Sequence, residues 1–193
     1  MSGALHADAL ALLRGWTAPS ADQRRHQASY VAHLETHADG CYRVCRPDHL
    51  TASTLVVSPD GSEVLLTLHA KAGQWFQMGG HCESGDATLA AAALREASEE
   101  SGIDGLELDP VPVQLSPHEV PFCRGGDTAA PVTRHLDVRF VAVAPAGAAH
   151  AVSDESLDVR WFPADALPTD AEDMRELVRL ARERVHRSSS SAI

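Results

Sequence analysis

Lysine is almost missing from this chain. Lys71 is the single lysine among 16 basic side chains, which face 27 acidic ones and leave a formal charge of −11. Such a chain lacks the basic field that grips long nucleic acid by neutralising many phosphates. A small anionic substrate stays compatible with it if a cation sits between protein and phosphate. Long apolar runs are also missing: none approaches the roughly 18 to 20 residues that span a bilayer. The amino terminus, MSGALHADALALLRGW, has no basic stretch followed by a clean apolar one, so no signal peptide and no membrane partner are expected. Paired cysteines are absent too. Cys41, Cys45, Cys82 and Cys123 fall at irregular spacings without a CxxC. A reduced, cytoplasmic chain with ordinary free thiols is the simplest account, preferred to a zinc site even with 11 histidines present.

What is present fits a globular protein. The chain has 193 residues, 44% hydrophobic and 22% charged, enough for one domain with an extension. Chains of this size bury roughly 70% of their unfolded surface, so no metal or disulfide staple is needed. Leu5, Leu10, Leu12 and Leu13 mark a short amphipathic helix ending near Gly15, and Pro19-Ser20 opens a second to about Ala38. Residues 1–45 are therefore read as a helical extension, packed on the domain or on a second subunit of a homodimer, because Trp16, Tyr30 and Leu34 are too apolar for a free tail.

The domain itself is expected over 46–187. Strands are read at Thr54–Val57 and Val64–Leu68, joined by the turn Pro59-Asp60-Gly61. Others fall around Trp75–Met78, Val111–Leu115, His135–Val143 and Val159–Phe162. Helices are read from about Ala87 to Ser101, and from about Ala171 to His186 behind the capping-box spacing Thr169-x-x-Glu172. Residues 188–193 are read as a disordered tail. Strands with one helix between them and one at the end indicate an α/β sandwich with a mixed sheet.

The chemistry concentrates between Gly79 and Ile103, GGHCESGDATLAAAALREASEESGI. Gly102 is a good helix terminator, and Asp86 is placed to cap the helix start. At about 100° per residue from Leu89, Glu99, Glu96 and Glu100 fall near 280°, 340° and 20°, so the three carboxylates share a face. Like charges at this spacing disfavour a helix by a few tenths of a kcal/mol per pair, and anions near its carboxyl end oppose the dipole. Local rules broken together in one place point to a functional site. A divalent cation held by oxygen ligands would compensate the repulsion.

With its glycines the stretch resembles the Nudix box, G-x5-E-x7-R-E-U-x-E-E-x-G-U, where U is apolar. Gly80 matches the first glycine, and Arg95-Glu96-Ala97-Ser98-Glu99-Glu100-Ser101-Gly102-Ile103 matches the right half. Two departures stand out: Asp86 replaces a Glu, and eight residues instead of seven separate it from Arg95. The resemblance implies a Nudix-type α/β/α sandwich and hydrolysis of a diphosphate linkage, typically in a nucleoside diphosphate joined to another group. It also implies Mg²⁺ or Mn²⁺ held by Glu96, Glu99, Glu100 and the Gly80 carbonyl, with Arg95 orienting Glu99. Glu96, Glu99 or an acid from a later loop, best Glu155, would take the proton from the attacking water. A Nudix-fold isoprenoid diphosphate isomerase and a non-catalytic ligand-binding module are the alternatives; the first needs a catalytic cysteine, the second usually has an eroded box.

Substrate contacts are read more weakly. Lys71 ends a strand that runs toward the site, Trp75 is a candidate to stack on a base, and Arg124 and Arg134 bracket a Gly- and Ala-rich loop suited to phosphate. His81 and Cys82 are read as facing solvent, and the substrate as a small phosphorylated nucleotide derivative.

Overall fold

The sheet is organised around one strand, β1 (His49–Val57), all nine residues of which are buried. The computed structural model describes residues 3–70, 72–123, 132–151 and 156–190. In it β1 runs parallel to β6 (Arg134–Val143), in register from His49 opposite His135 to Val57 opposite Val143. Its other edge is shared: Thr51–Thr54 pair with β4 (Met78–His81), and Val56 and Val57 with β2 (Glu63–His69), both antiparallel. Adding β3 (Gln74–Phe76), β5 (Glu107–Glu119) and β7 (Ser156–Pro163) gives a seven-stranded mixed sheet.

Alternation along a strand buried on both sides demands two covering layers. On one face Leu50 and Ala52 join Leu136, Val138 and Phe140 under α1 (Gly3–Gly15), α2 (Ala21–Thr36) and α3 (Leu89–Ser101). On the other, Leu55 and Val57 meet Met174, Leu177, Val178 and Ala181 of α4 (Glu172–Ser190). The result is the expected α/β/α sandwich. The amino-terminal helices are part of its core: Leu5, Leu13, Tyr30 and Leu34 are at most 1% exposed. The Trp16 indole donates to the Pro112 carbonyl at 2.6 Å, and the Gln23 side chain exchanges two hydrogen bonds with the Leu115 backbone.

Several elements differ from the sequence reading, and β1 itself begins at His49, well before the expected Thr54. The strand expected over Trp75–Met78 is two strands broken at Gln77, and the second, β4, carries the glycine pair. A Cβ on Gly79 would stand 2.3 Å from the Ser53 Cβ, and only glycine lets β4 approach β1 this closely. Strand β5 covers thirteen residues because a register shift between Asp109 and Gln114 lets it continue past an irregularity. Helix α4 runs on to Ser190, beyond the expected end at His186.

Candidate active site

The carboxylates of α3 meet the glycines of β4, and a single guanidinium organises them. Arg95 Nε and Nη2 fork onto the two oxygens of Asp86, both at 3.1 Å. Its Nη1 donates to Glu96 Oε1 at 3.0 Å and Glu99 Oε2 at 3.1 Å, and Nη2 also reaches the His81 carbonyl at 3.1 Å. All five N–H donors of the arginine are thereby used. Glu100 Oε2 accepts from the Gly79 amide at 3.1 Å, which ties the last glutamate directly to the glycine strand.

Asp86 corrects the sequence reading. The helix begins at Leu89, where Thr88 is the cap and its hydroxyl accepts from the Ala91 amide. The Leu89 amide is satisfied from far away, by Asp8 of α1 at 2.9 Å. Asp86 instead accepts from the Glu83 amide and anchors Arg95. Burial alone would raise its carboxyl, but the Arg95 hydrogen bonds and the Glu83 amide outweigh this and hold it below the usual range. Arg95 is in turn raised, first by its hydrogen bonds to Asp86. The extra residue before Arg95 is absorbed in this loop, and Gly102 ends the helix at φ +65° as the sequence indicated.

The geometry suits a hard cation. A Cβ on Gly80 would lie 2.6 Å from Glu96 Oε2, so a bare backbone unit faces the carboxylate. Glutamate oxygens and a carbonyl are the donors that Mg²⁺ and Mn²⁺ prefer. The carboxylates differ in access: the Glu99 side chain is 60% exposed and that of Glu96 only 16%. Glu99 is open to solvent, while Glu96 is held from both sides.

Two of the remaining candidates are described. Trp75 packs edge-to-face on Phe162 at 4.8 Å and belongs to the cluster under α4. Arg134, at the start of β6, pairs with Asp48. Lys71, Arg124 and Glu155 lie outside the described residues. His81 and Cys82, read as facing solvent, do not: Cys82 is 5% exposed in the core under α1 and α2, and His81 packs against His49 and His135. Burial, and then the neighbouring His49, pushes the His81 imidazole down to about 4.

Comparison with known proteins identifies the family and the fold. The sequence profile of the NUDIX domain matches residues 47–181. None of the curated proteins matches the sequence significantly. Among solved structures, the dihydroneopterin triphosphate pyrophosphohydrolase of E. coli is similar at a TM-score of 0.57 and 22% identity, over 72% of this chain and 97% of that one. A C. elegans Ap4A hydrolase is similar at 0.55 and 18% identity, over 75% of this chain and 98% of that one. The NUDIX domain of Shewanella oneidensis NrtR, complexed with ADP-ribose, is similar at 0.55 and 22%, over 74% and 92%. These likenesses establish a shared fold. The profile match takes in all seven strands, the glycine strand among them, and the glutamate helix together, and the chain belongs to the NUDIX family of hydrolases.

Proposed function

We propose that this hydrolase cleaves a phosphoanhydride bond in a nucleoside diphosphate linked to another group, using Mg²⁺ or Mn²⁺. The observation that carries the reading is the Arg95 hub, which gathers Asp86, Glu96 and Glu99 beside a glycine strand that also receives Glu100. Glu96, Glu99, Glu100 and the Gly80 carbonyl would hold the cation. When bound, it neutralises phosphate charge and lowers the pKa of a coordinated water. The chain supplies orientation. Arg95 fixes the rotamers of Glu96 and Glu99, and Asp86 fixes Arg95, so the carboxylates are positioned before substrate arrives. Glu99, open to solvent, can pass a proton outward; Glu96 is the better-held ligand. Glu155 keeps its role as a candidate base.

The isomerase alternative needs a reactive cysteine. Cys82, inside the box, is buried and its thiol is pushed well above its ordinary range by that burial, which leaves it inert. The intact glutamates favour catalysis over a mere ligand-binding module. Cys41, Cys45, Cys82 and Cys123 are all free, which suits a reducing, cytoplasmic setting. No helix among the described residues is long and apolar enough to cross a membrane. The structural relatives are named with Ap4A and with ADP-ribose, and nucleotide derivatives of these kinds are the first substrates to test.

A phosphate-release screen over nucleoside triphosphates, dinucleoside polyphosphates, nucleotide sugars, ADP-ribose and NADH tests this. Turnover should require Mg²⁺ or Mn²⁺, and Glu96→Gln or Glu100→Gln should lower it by roughly a hundredfold or more. Metal-free Glu100→Gln should melt no earlier than the parent, because a like-charge repulsion has gone while the amide oxygen can still accept from Gly79. A Glu100→Gln protein that melts much earlier yet turns over at the parental rate would make the triplet structural.

A further inference from the structure

A second cluster of donors stands on the opposite face of the same sheet. Strand pairing places it there: His49 opens β1, His135 lies opposite it in the parallel partner β6, and His81 ends β4 opposite Thr51. Even separations along a strand keep side chains on one face, so the three imidazoles converge. Their ring centroids are 4.9 to 5.1 Å apart. Cys123, at the end of the short 3₁₀ turn Pro121–Cys123, closes the group with its Sγ 3.7 Å from His81 Nε2. One donor atom from each of the four residues lies within 4.8 Å of the other three.

Among the described residues, two of these donors have no hydrogen-bond partner. His49 is 0% exposed and its Nε2 is buried and unpaired; His135 Nε2 is buried and unpaired as well. The other nitrogen of His49, Nδ1, faces the Cys45 carbonyl at 3.2 Å. That contact makes Nδ1 the protonated nitrogen and leaves a lone pair on Nε2, directed at the cluster. Metal-bound histidines are oriented in this way, by a hydrogen bond from the ring nitrogen that does not ligate. Neutral rings crowded together with unspent lone pairs and a thiol are a donor set in search of an acceptor.

We propose that His49, His81, His135 and Cys123 bind a transition-metal ion, Zn²⁺ in the cell, at a site separate from the glutamates. Imidazole and thiolate donors suit zinc and not Mg²⁺. Ligands at about 2.0–2.1 Å (nitrogen) and 2.3 Å (sulfur) from a tetrahedral zinc stand roughly 3.3 to 3.6 Å from one another. The donor atoms here lie within 4.8 Å of one another, so ligation draws them together by about an ångström. Four protein ligands leave no open position, which makes the site structural. It joins β1, β4 and β6 at one end to the turn after β5. It also bears on the glutamates: His81 accepts from Arg95 through its backbone carbonyl, so fixing the end of β4 fixes one anchor of the Arg95 hub. The expectation of four ordinary free thiols is thereby revised at Cys123.

The test is a Co²⁺ titration of the untagged, chelator-stripped full chain in saturating Mg²⁺, which occupies the carboxylates. One equivalent should give the intense visible bands of tetrahedral cobalt with a thiolate-to-metal charge-transfer band, and one equivalent of Zn²⁺ should abolish both. Cys123→Ser should remove the charge-transfer band and weaken binding at least about tenfold, with its circular dichroism unchanged. Glu96→Gln should leave the spectrum as it is. A weak octahedral spectrum that Cys123→Ser does not alter, or that Glu96→Gln removes, would overturn the assignment.

Discussion

Two adjacent glycines answer to different constraints. A Cβ on Gly79 would meet the Ser53 Cβ at 2.3 Å, the Ser53 Cα at 2.6 Å and the Ala52 carbonyl at 2.9 Å, mostly backbone that cannot turn aside. The three atoms nearest a Cβ on Gly80 all belong to the carboxylate of Glu96, the far end of a flexible side chain. Gly79→Ala should therefore destabilise the fold by about 1–3 kcal/mol or more, as forced overpacking does. Gly80→Ala should melt close to the parent, yet lose turnover, because Glu96 must rotate away from its place beside Arg95. Melting temperature without metal, set against turnover in saturating Mg²⁺, separates the two. Parental turnover in Gly80→Ala would show that the position of Glu96 is immaterial to the reaction.

Helix α3 is held at its amino end by two groups of different origin, local Thr88 on the Ala91 amide and remote Asp8 on the Leu89 amide. Removing an N-cap acceptor costs about 1 kcal/mol, so Asp8→Ala should lower stability by that order even though it lies in another helix. Hydrogen exchange should quicken first at Leu89. An unchanged exchange pattern would mean that water replaces Asp8 without cost. This contact also shows where sequence reasoning stops. The carboxyl end of α3 was legible because Gly102 follows the helix directly, and the carboxylate face because helical angles need no partner. The β1–β2 turn was legible for the same reason: Asp60 accepts from Ser58 and Ser62 within its own turn. Asp8 acts across 81 positions and left no local mark. Asp86 looked like a cap because it precedes a helix, but a half-buried arginine nine residues on competed for it. The histidine cluster depends on the parallel pairing of β1 with β6, and no periodicity in either strand announces which strand will lie beside it.

At the scale of the whole molecule, the amino-terminal helices and the NUDIX sheet make one core. Leu5, Leu13, Trp16, Tyr30 and Leu34 are at most 6% exposed and cover Leu50, Leu115, Leu136, Val138 and Phe140. Tyr30 also reaches the Asp137 carbonyl at 3.3 Å, just where Asp137 takes hydrogen bonds from Thr51, Ser53 and Arg139 at the centre of the sheet. Arg139 continues to Asp173 at 2.6 Å and so links this centre to the start of α4. Both layers thus bear on one buried polar group. Burying a side chain of leucine size stabilises by about 1.5–3 kcal/mol, so the five side chains of the extension contribute on the order of 10 kcal/mol. Whole domains are stable by about 5–15 kcal/mol. A protein beginning at Arg46 should therefore be unfolded or insoluble, since it loses that amount and exposes an apolar sheet face. Leu13→Ala, a milder cut in the same interface, should cost about 2–5 kcal/mol and still melt in a single transition. Two separate transitions would mean that the helices unfold on their own. A soluble truncation with the parental melting temperature would show that their burial adds nothing to the stability of the sheet.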